Sequence, residues 1–137
     1  MPEMAYSAMP TSPQPKPLFW MSSTHDELRR FPQEVRQVMG YALYLAQCGD
    51  KHLDAKPLKG FGGAGVLEVV ADHDGDTYRA VYTVRFADAV YALHAFQKKS
   101  KRGVATPKRE IERIRQRLRQ AQEHYQAWRR QLQGETS

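Results

Sequence analysis

Thr77-Tyr78-Arg79-Ala80-Val81-Tyr82-Thr83-Val84-Arg85-Phe86 is the stretch on which the fold turns. Tyr78, Ala80, Tyr82, Val84 and Phe86 fall on one side of it and Arg79, Val81, Thr83 and Arg85 on the other, the period of two that a β-strand imposes. Residues 66–71 before it and 89–96 after it are rich in Val, Tyr and Phe, as strands are. Asp74-Gly75 is a strong hairpin signal, and Ala87-Asp88 leaves room for a tight turn only. The three runs therefore predict a three-stranded antiparallel meander, with one packed face, one half-wet face, and helices on a single side.

Toward the N-terminus, the glycine-rich loop 60–65 reads as a flexible lead-in to the sheet, since it lacks the Lys-Ser/Thr ending of a phosphate loop and precedes a strand. Pro32 suits a first helical position, Val35, Val38, Met39, Ala42, Leu45 and Ala46 follow at three-to-four spacing, and Gly49 supplies the stop. Thr24 and Glu27 have the spacing of a capping box, so a short helix is expected before it and the two form a helical hairpin. Leu18-Phe19-Trp20-Met21 reads as a buried first strand. Residues 1–16, with four prolines and no period, read as a flexible tail.

Toward the C-terminus, Thr106 and Pro107 form an N-cap and first helical position for a long helix over 107–132. Ile111, Ile114, Leu118, Ala121, Tyr125, Trp128 and Leu132 line its apolar stripe. The first three belong to the chain's own core, whereas Tyr125, Trp128 and Leu132, at the far end, are candidates for a partner helix. Residues 133–137 read as disordered. The whole is a single α+β domain over 17–132: strand, helical hairpin, three-stranded meander, long C-terminal helix.

Charge is distributed unevenly. Between Lys98 and Arg130 twelve basic residues face three acids, a net +9 in a chain whose formal total is +6, so the remainder carries −3. A basic segment on a mildly acidic body is a footprint for phosphate, and equally a solvated helix face; charge alone does not choose. No run approaches the apolar length of a membrane span and no secretory leader pattern opens the chain, so a cytoplasmic protein is expected. The single cysteine, Cys48, forms no internal disulfide and reads as a small buried hydrophobe. His25, His52, His73, His94 and His124 are scattered, without metal-ligand spacing, so neither a metal nor a small-molecule cofactor is expected.

What remains is a set of cations around one half of the sheet: Arg79, Lys98, Lys99 and Lys101, with Lys56 and Lys59 before it. Such cations stabilise the charge that develops on phosphate oxygens when a 2′-hydroxyl attacks phosphorus, and Glu68 or His94 is placed to move the proton. Set against this, a strand histidine is more often a hydrogen-bonded core residue, and Glu68 has the option of pairing with Arg79 across the sheet.

The wording of the sheet is specific. Asp76-Thr77-Tyr78-Arg79-Ala80-Val81-Tyr82-Thr83-Val84, then Tyr91-Ala92-Leu93-His94-Ala95-Phe96-Gln97-Lys98-Lys99-Ser100, resembles the phage-derived HigB-like branch of the RelE/ParE toxin superfamily. Lys56-Pro57-Leu58-Lys59-Gly60-Phe61-Gly62 and Thr106-Pro107-Lys108-Arg109-Glu110-Ile111 extend the likeness over residues 17–120. The resemblance implies a RelE-like fold and a toxin of a type II toxin-antitoxin system, commonly a ribosome-dependent endoribonuclease. Its partners would be a helix-turn-helix, HigA-like antitoxin and the ribosome with its messenger. Arg79 maps onto the family's phosphate-contacting strand arginine, and Lys98 and Lys99 onto the basic residues after the last strand. Lys101, Arg102, Arg113, Arg115, Arg117 and Arg119, with Lys56 and Lys59, become the RNA-docking surface. Glu68 stands where some RelE-type enzymes carry a strand lysine, which leaves the general base open between Glu68 and His94. Other superfamily members act on DNA gyrase, so a non-catalytic inhibitor is the competing class, and a plain RNA-binding module the third.

Overall fold

The computed structural model describes residues 14–63, 65–98 and 106–136. Its elements in chain order are β1 (Leu18–Trp20), α1 (Thr24–Arg29), α2 (Gln33–Gln47), β2 (Ala55–Pro57), β3 (Val66–His73), β4 (Asp76–Thr83), β5 (Val90–Lys98) and α3 (Lys108–Thr136). The expected meander β3-β4-β5 is there, inside a five-stranded sheet of order β1-β5-β4-β3-β2. Its first hairpin closes on Asp74 and Gly75, both at positive φ (50° and 82°), which is what a two-residue turn matched to strand twist needs. β1 lies parallel to β5, with Leu18 opposite Val90 and Trp20 opposite Ala92. β2, which sequence pattern does not mark, pairs antiparallel with β3 at the other edge, where Pro57 is tolerated because an edge strand needs no donor on its outer side.

The sheet is covered on both faces, which corrects the expectation of helices on one side. Tyr78, Ala80 and Tyr82 of β4 turn toward α1 and α2, where they join Leu28, Phe31, Val35, Met39 and Leu43 in one core. Val81 turns the other way with Val66, Tyr91 and Leu93 to meet Ile114, Leu118 and Ala121 of α3 in a second core. The polar residues of that face mislead a hydropathy reading because they are buried among polar partners inside the molecule: Arg79 is only 5% exposed and His94 only 2%. A bulge in β5 helps to load the face. Val81 pairs with His94 and Tyr82 with Ala92, so Leu93 is an extra residue.

α3 begins one residue later than the sequence suggests and continues to Thr136, beyond the expected end at 132. At 29 residues it spans about 43 Å. The carbonyl of Pro107 accepts the amides of Glu110 and Ile111, so Pro107 stands at the cap position and Thr106 lies before it. Tyr125 stacks on Phe86 with ring centroids 4.6 Å apart and donates to Asp88, and Trp128 sets its edge against Phe19 at 5.4 Å. These two expected partner-binding residues thus pack on the chain's own second core. Leu132, at 39% exposure, remains open.

α2 ends in a Schellman motif: Gly49, at φ 84°, donates to Ala46 and Asp50 donates to Leu45. Cys48 caps that helix and is half-buried, not enclosed as expected. The capping box is also redistributed. Ser23 is the N-cap, while Thr24 is buried in the first turn and donates to the Met21 carbonyl at 2.6 Å.

Candidate nucleic-acid interface

Alternation along β4 puts Thr77, Arg79 and Val81 on the α3 face. There Arg79 Nη1 donates to Glu68 Oε1 at 3.0 Å, the cross-sheet pair that the sequence offers as one option. Thr106 completes the arrangement: its hydroxyl accepts from Arg79 at 3.2 Å and donates to Glu68 Oε2 at 2.8 Å. Sequence reading assigns Thr106 to helix capping; Pro107 takes that position and frees the hydroxyl for the ion pair. Lys98 stands opposite Thr77 on the same face. Burial and the positive field of Arg79 lower the pKa of its ammonium, and the Glu68 carboxylate partly offsets them. Lys56 lies directly across from Glu68 in the β2–β3 register, so it too belongs to this face.

The structure therefore brings Arg79, Lys98, Glu68 and Lys56 together at the end of the sheet where α3 starts. Lys99, Lys101 and Arg102, expected beside them, lie outside the described residues. The Arg79 guanidinium is closed over, and the Glu68 carboxylate occupies the kind of position that a phosphate takes against arginine.

His94 and Arg117 are placed elsewhere. Arg117 is 7% exposed and is not part of the docking surface to which the sequence assigns it. Its Nη1 donates to Glu27 Oε1 and to the Leu93 carbonyl, each at 3.0 Å, and to Thr24 Oγ1 at 3.2 Å. Its Nη2 donates to Ser23 Oγ and Glu27 Oε2, both at 3.2 Å. His94 Nδ1 lies 3.0 Å from Arg117 Nη1 and 3.2 Å from Glu27 Oε1, and Nε2 lies 3.4 Å from Glu110 Oε2. Among the described residues, Nε2 is buried and faces Glu110 without a hydrogen bond. Burial alone pushes the Glu27 carboxyl up, but hydrogen bonds and charge from His94 and Arg117 hold it well below the usual carboxylate range. This network ties α1, β5 and α3 together inside the molecule, and it shuts His94 away from any bound strand. Its signal was present in the sequence: Arg117 sits three residues after Ile114 and four before Ala121, within the apolar stripe.

Arg113, Arg115 and Arg119 are exposed along α3, and Lys59 is exposed on the loop after β2. Arg115 donates to the Gly60 carbonyl at 3.0 Å and lies over the Phe61 ring, 4.9 Å from its centroid. Among the described residues no group of three or more His, Cys, Asp or Glu is arranged to hold a metal, and no helix is long and apolar enough to cross a membrane.

Residues 26–119 match the sequence profile of a family described as Phage derived protein Gp49-like (DUF891). That span holds Arg79, Lys98, Glu68 and Thr106, and Arg117 with Glu27, His94 and Glu110 of its network, and leaves out Ser23, Thr24, Tyr125, Trp128 and Leu132. No curated protein and no solved structure matches the chain.

Proposed function

We propose that this chain, which belongs to the phage-derived Gp49-like family, is the toxin of a type II toxin-antitoxin pair and cuts messenger RNA bound to the ribosome. In this reading it is of the HigB-like, RelE/ParE kind, acts in the cytoplasm, and is held silent by a helix-turn-helix antitoxin of the HigA-like type. The observation that carries the reading is the placement of Arg79 and Lys98 on one sheet face, with Glu68 and Thr106 bonded to the guanidinium.

The chemistry follows from those side chains. The 2′-hydroxyl attacks the adjacent phosphorus, the bond from phosphorus to the 5′-oxygen breaks, and the products are a 2′,3′-cyclic phosphate and a 5′-hydroxyl. Arg79 exchanges the Glu68 carboxylate for the phosphate oxygens, an acceptor of the same charge sign. Glu68, released from the guanidinium, takes the proton of the 2′-hydroxyl. Lys98, whose ammonium gives up its proton more readily than an open lysine, supplies one to the leaving 5′-oxygen. Lys99 adds positive charge, and Lys56, Lys59, Lys101, Arg102, Arg113, Arg115 and Arg119 dock the RNA. His94 leaves the proton path because its ring is enclosed. Neither a metal nor an organic cofactor enters this mechanism.

The test is growth arrest on induction. Arg79→Gln is expected to lower cleavage by at least about 100-fold, the usual loss when one charge-stabilising donor is removed. Growth arrest should vanish while the variant still co-purifies with its antitoxin. An Arg79→Gln chain that arrests growth like the wild type contradicts the proposal. The competing class, a non-catalytic inhibitor of a partner such as DNA gyrase, rests on the distal end of α3. Two of its three contact residues, Tyr125 and Trp128, are engaged with Phe86 and Phe19.

A further inference from the structure

A second cluster of cations lies apart from Arg79. Arg85, just past β4, and Arg115 and Arg119 on α3 line one open cavity of about 420 Å³ together with Gly60, Phe61, Gly62 and Leu118. Among the described residues none of the three arginines forms an ion pair with a carboxylate. Three guanidinium groups around one space repel one another unless an anion joins them.

The glycine-rich loop is what permits the approach. A Cβ on Gly60, at φ 94°, meets the Arg115 guanidinium at 3.2 Å, and one on Gly65, at φ 72°, meets the Arg85 backbone at 3.1 Å. A side chain at either position would be strained by the positive φ and would need its arginine neighbour to give by a few tenths of an ångström. The loop is thus more than a flexible lead-in: its glycines set one wall of the cavity, and Phe61 and Leu118 give that wall an apolar floor.

We infer that this cavity is a second phosphate anchor, holding a backbone phosphate of the RNA strand a few nucleotides from the bond cut at Arg79. A tetrahedral phosphate offers oxygens in several directions and suits three converging guanidiniums, whereas a planar carboxylate is satisfied by one in a bidentate pair. Arg115 and Arg119 lie about 10 and 16 Å along α3 from its first residue, which follows closely on Thr106, the residue bonded to the Arg79 pair. The identity of the strand rests on the RNA-cutting reading; the anion preference rests on the three arginines.

The experiment is binding of the full chain to a fluorescent 2′-O-methylated oligoribonucleotide, which lacks the attacking hydroxyl. The double substitution Arg85→Gln with Arg119→Gln is compared with Arg29→Gln with Arg36→Gln, an equal charge loss on α1 and α2. The first pair should weaken binding about tenfold near 0.1 M salt and flatten the slope of log affinity against log salt by about 0.7, the value for one phosphate no longer neutralised. The second pair should change affinity less than about twofold. Equal losses in both pairs, or none in the first, overturn the anchor, as does displacement of the RNA by polyglutamate at the concentration at which unlabelled RNA displaces it. Cleavage on ribosomes separates the two proposals. If Arg79→Gln stops cleavage and the Arg85/Arg119 pair binds like wild type, the anchor is wrong and the nuclease stands. If that pair loses binding and the wild type cuts nothing, the anchor stands and the nuclease is wrong.

Discussion

Glu27 occupies a position where one carboxylate answers to two buried neighbours, the Arg117 guanidinium and the His94 ring. Glu27→Gln leaves Arg117 enclosed without its counter-charge, and we predict a loss of about 3 kcal/mol in urea unfolding, the scale of a broken buried pair. The pH dependence has a definite sign. The folded-state pKa of Glu27 is depressed below its ordinary 4.5, so its contribution is fully present above that value and is lost as pH falls through the lower, folded-state value. The acid limb of the stability profile below pH 4.5 should therefore be shallower in Glu27→Gln than in the wild type. Tyr82 gives the opposite kind of test. Its hydroxyl is buried with no hydrogen-bond partner among the described residues, and burial pushes the phenol up to about 12. Tyr82→Phe removes an unsatisfied polar atom without a cavity, so unfolding should show no loss and up to about 1 kcal/mol of gain. Its folded-state pKa is raised, so its share of stability is intact below the ordinary value of 10 and is lost as pH rises toward 12. The wild type should show this alkaline loss more strongly than Tyr82→Phe.

Element by element, what the sequence conveys depends on whether a local rule decides the outcome. The Asp74-Gly75 hairpin, the period of β4 and the stripe of α3 are local, and they are legible. The pairing of β1 with β5 joins residues some seventy positions apart, and β2 is too short to show a period, so neither could be read. Arg79 and Lys98 sharing a face follows from strand alternation, whereas Thr106 was hidden because Thr-Pro before a helix has a ready explanation as a cap. Burial of Arg117 follows from its place in the stripe, yet charge outweighed position in assigning it to the surface. α3 itself is divided: Trp128 packs on Phe19, while residues 129–134 are exposed. Trp128→Ala should cost about 2 kcal/mol, below the range for a fully buried tryptophan. Arg113→Gln, on the exposed side of the same helix, should stay within about 0.5 kcal/mol of the wild type when both variants are compared by urea unfolding.

For the molecule as a whole, the two covered faces divide the work. The α1/α2 face is apolar core. The α3 face carries enclosed charges, the Arg117 network at its centre and the Arg79–Glu68 pair toward the start of α3, with the three-arginine cavity open to solvent. That division explains how a chain of net +6 keeps several cations unneutralised while burying others with matched acids. The central claim is that Arg79 and Lys98 act on one phosphate. Its most direct measurement is the chemistry of RNA ends after wild-type protein and Arg79→Gln are each mixed with ribosomes carrying a defined messenger. The account predicts discrete cuts within the translated frame that leave a 2′,3′-cyclic phosphate and a 5′-hydroxyl, and their disappearance with Arg79→Gln. Messenger left whole by the wild type, or cut equally by both proteins, contradicts it.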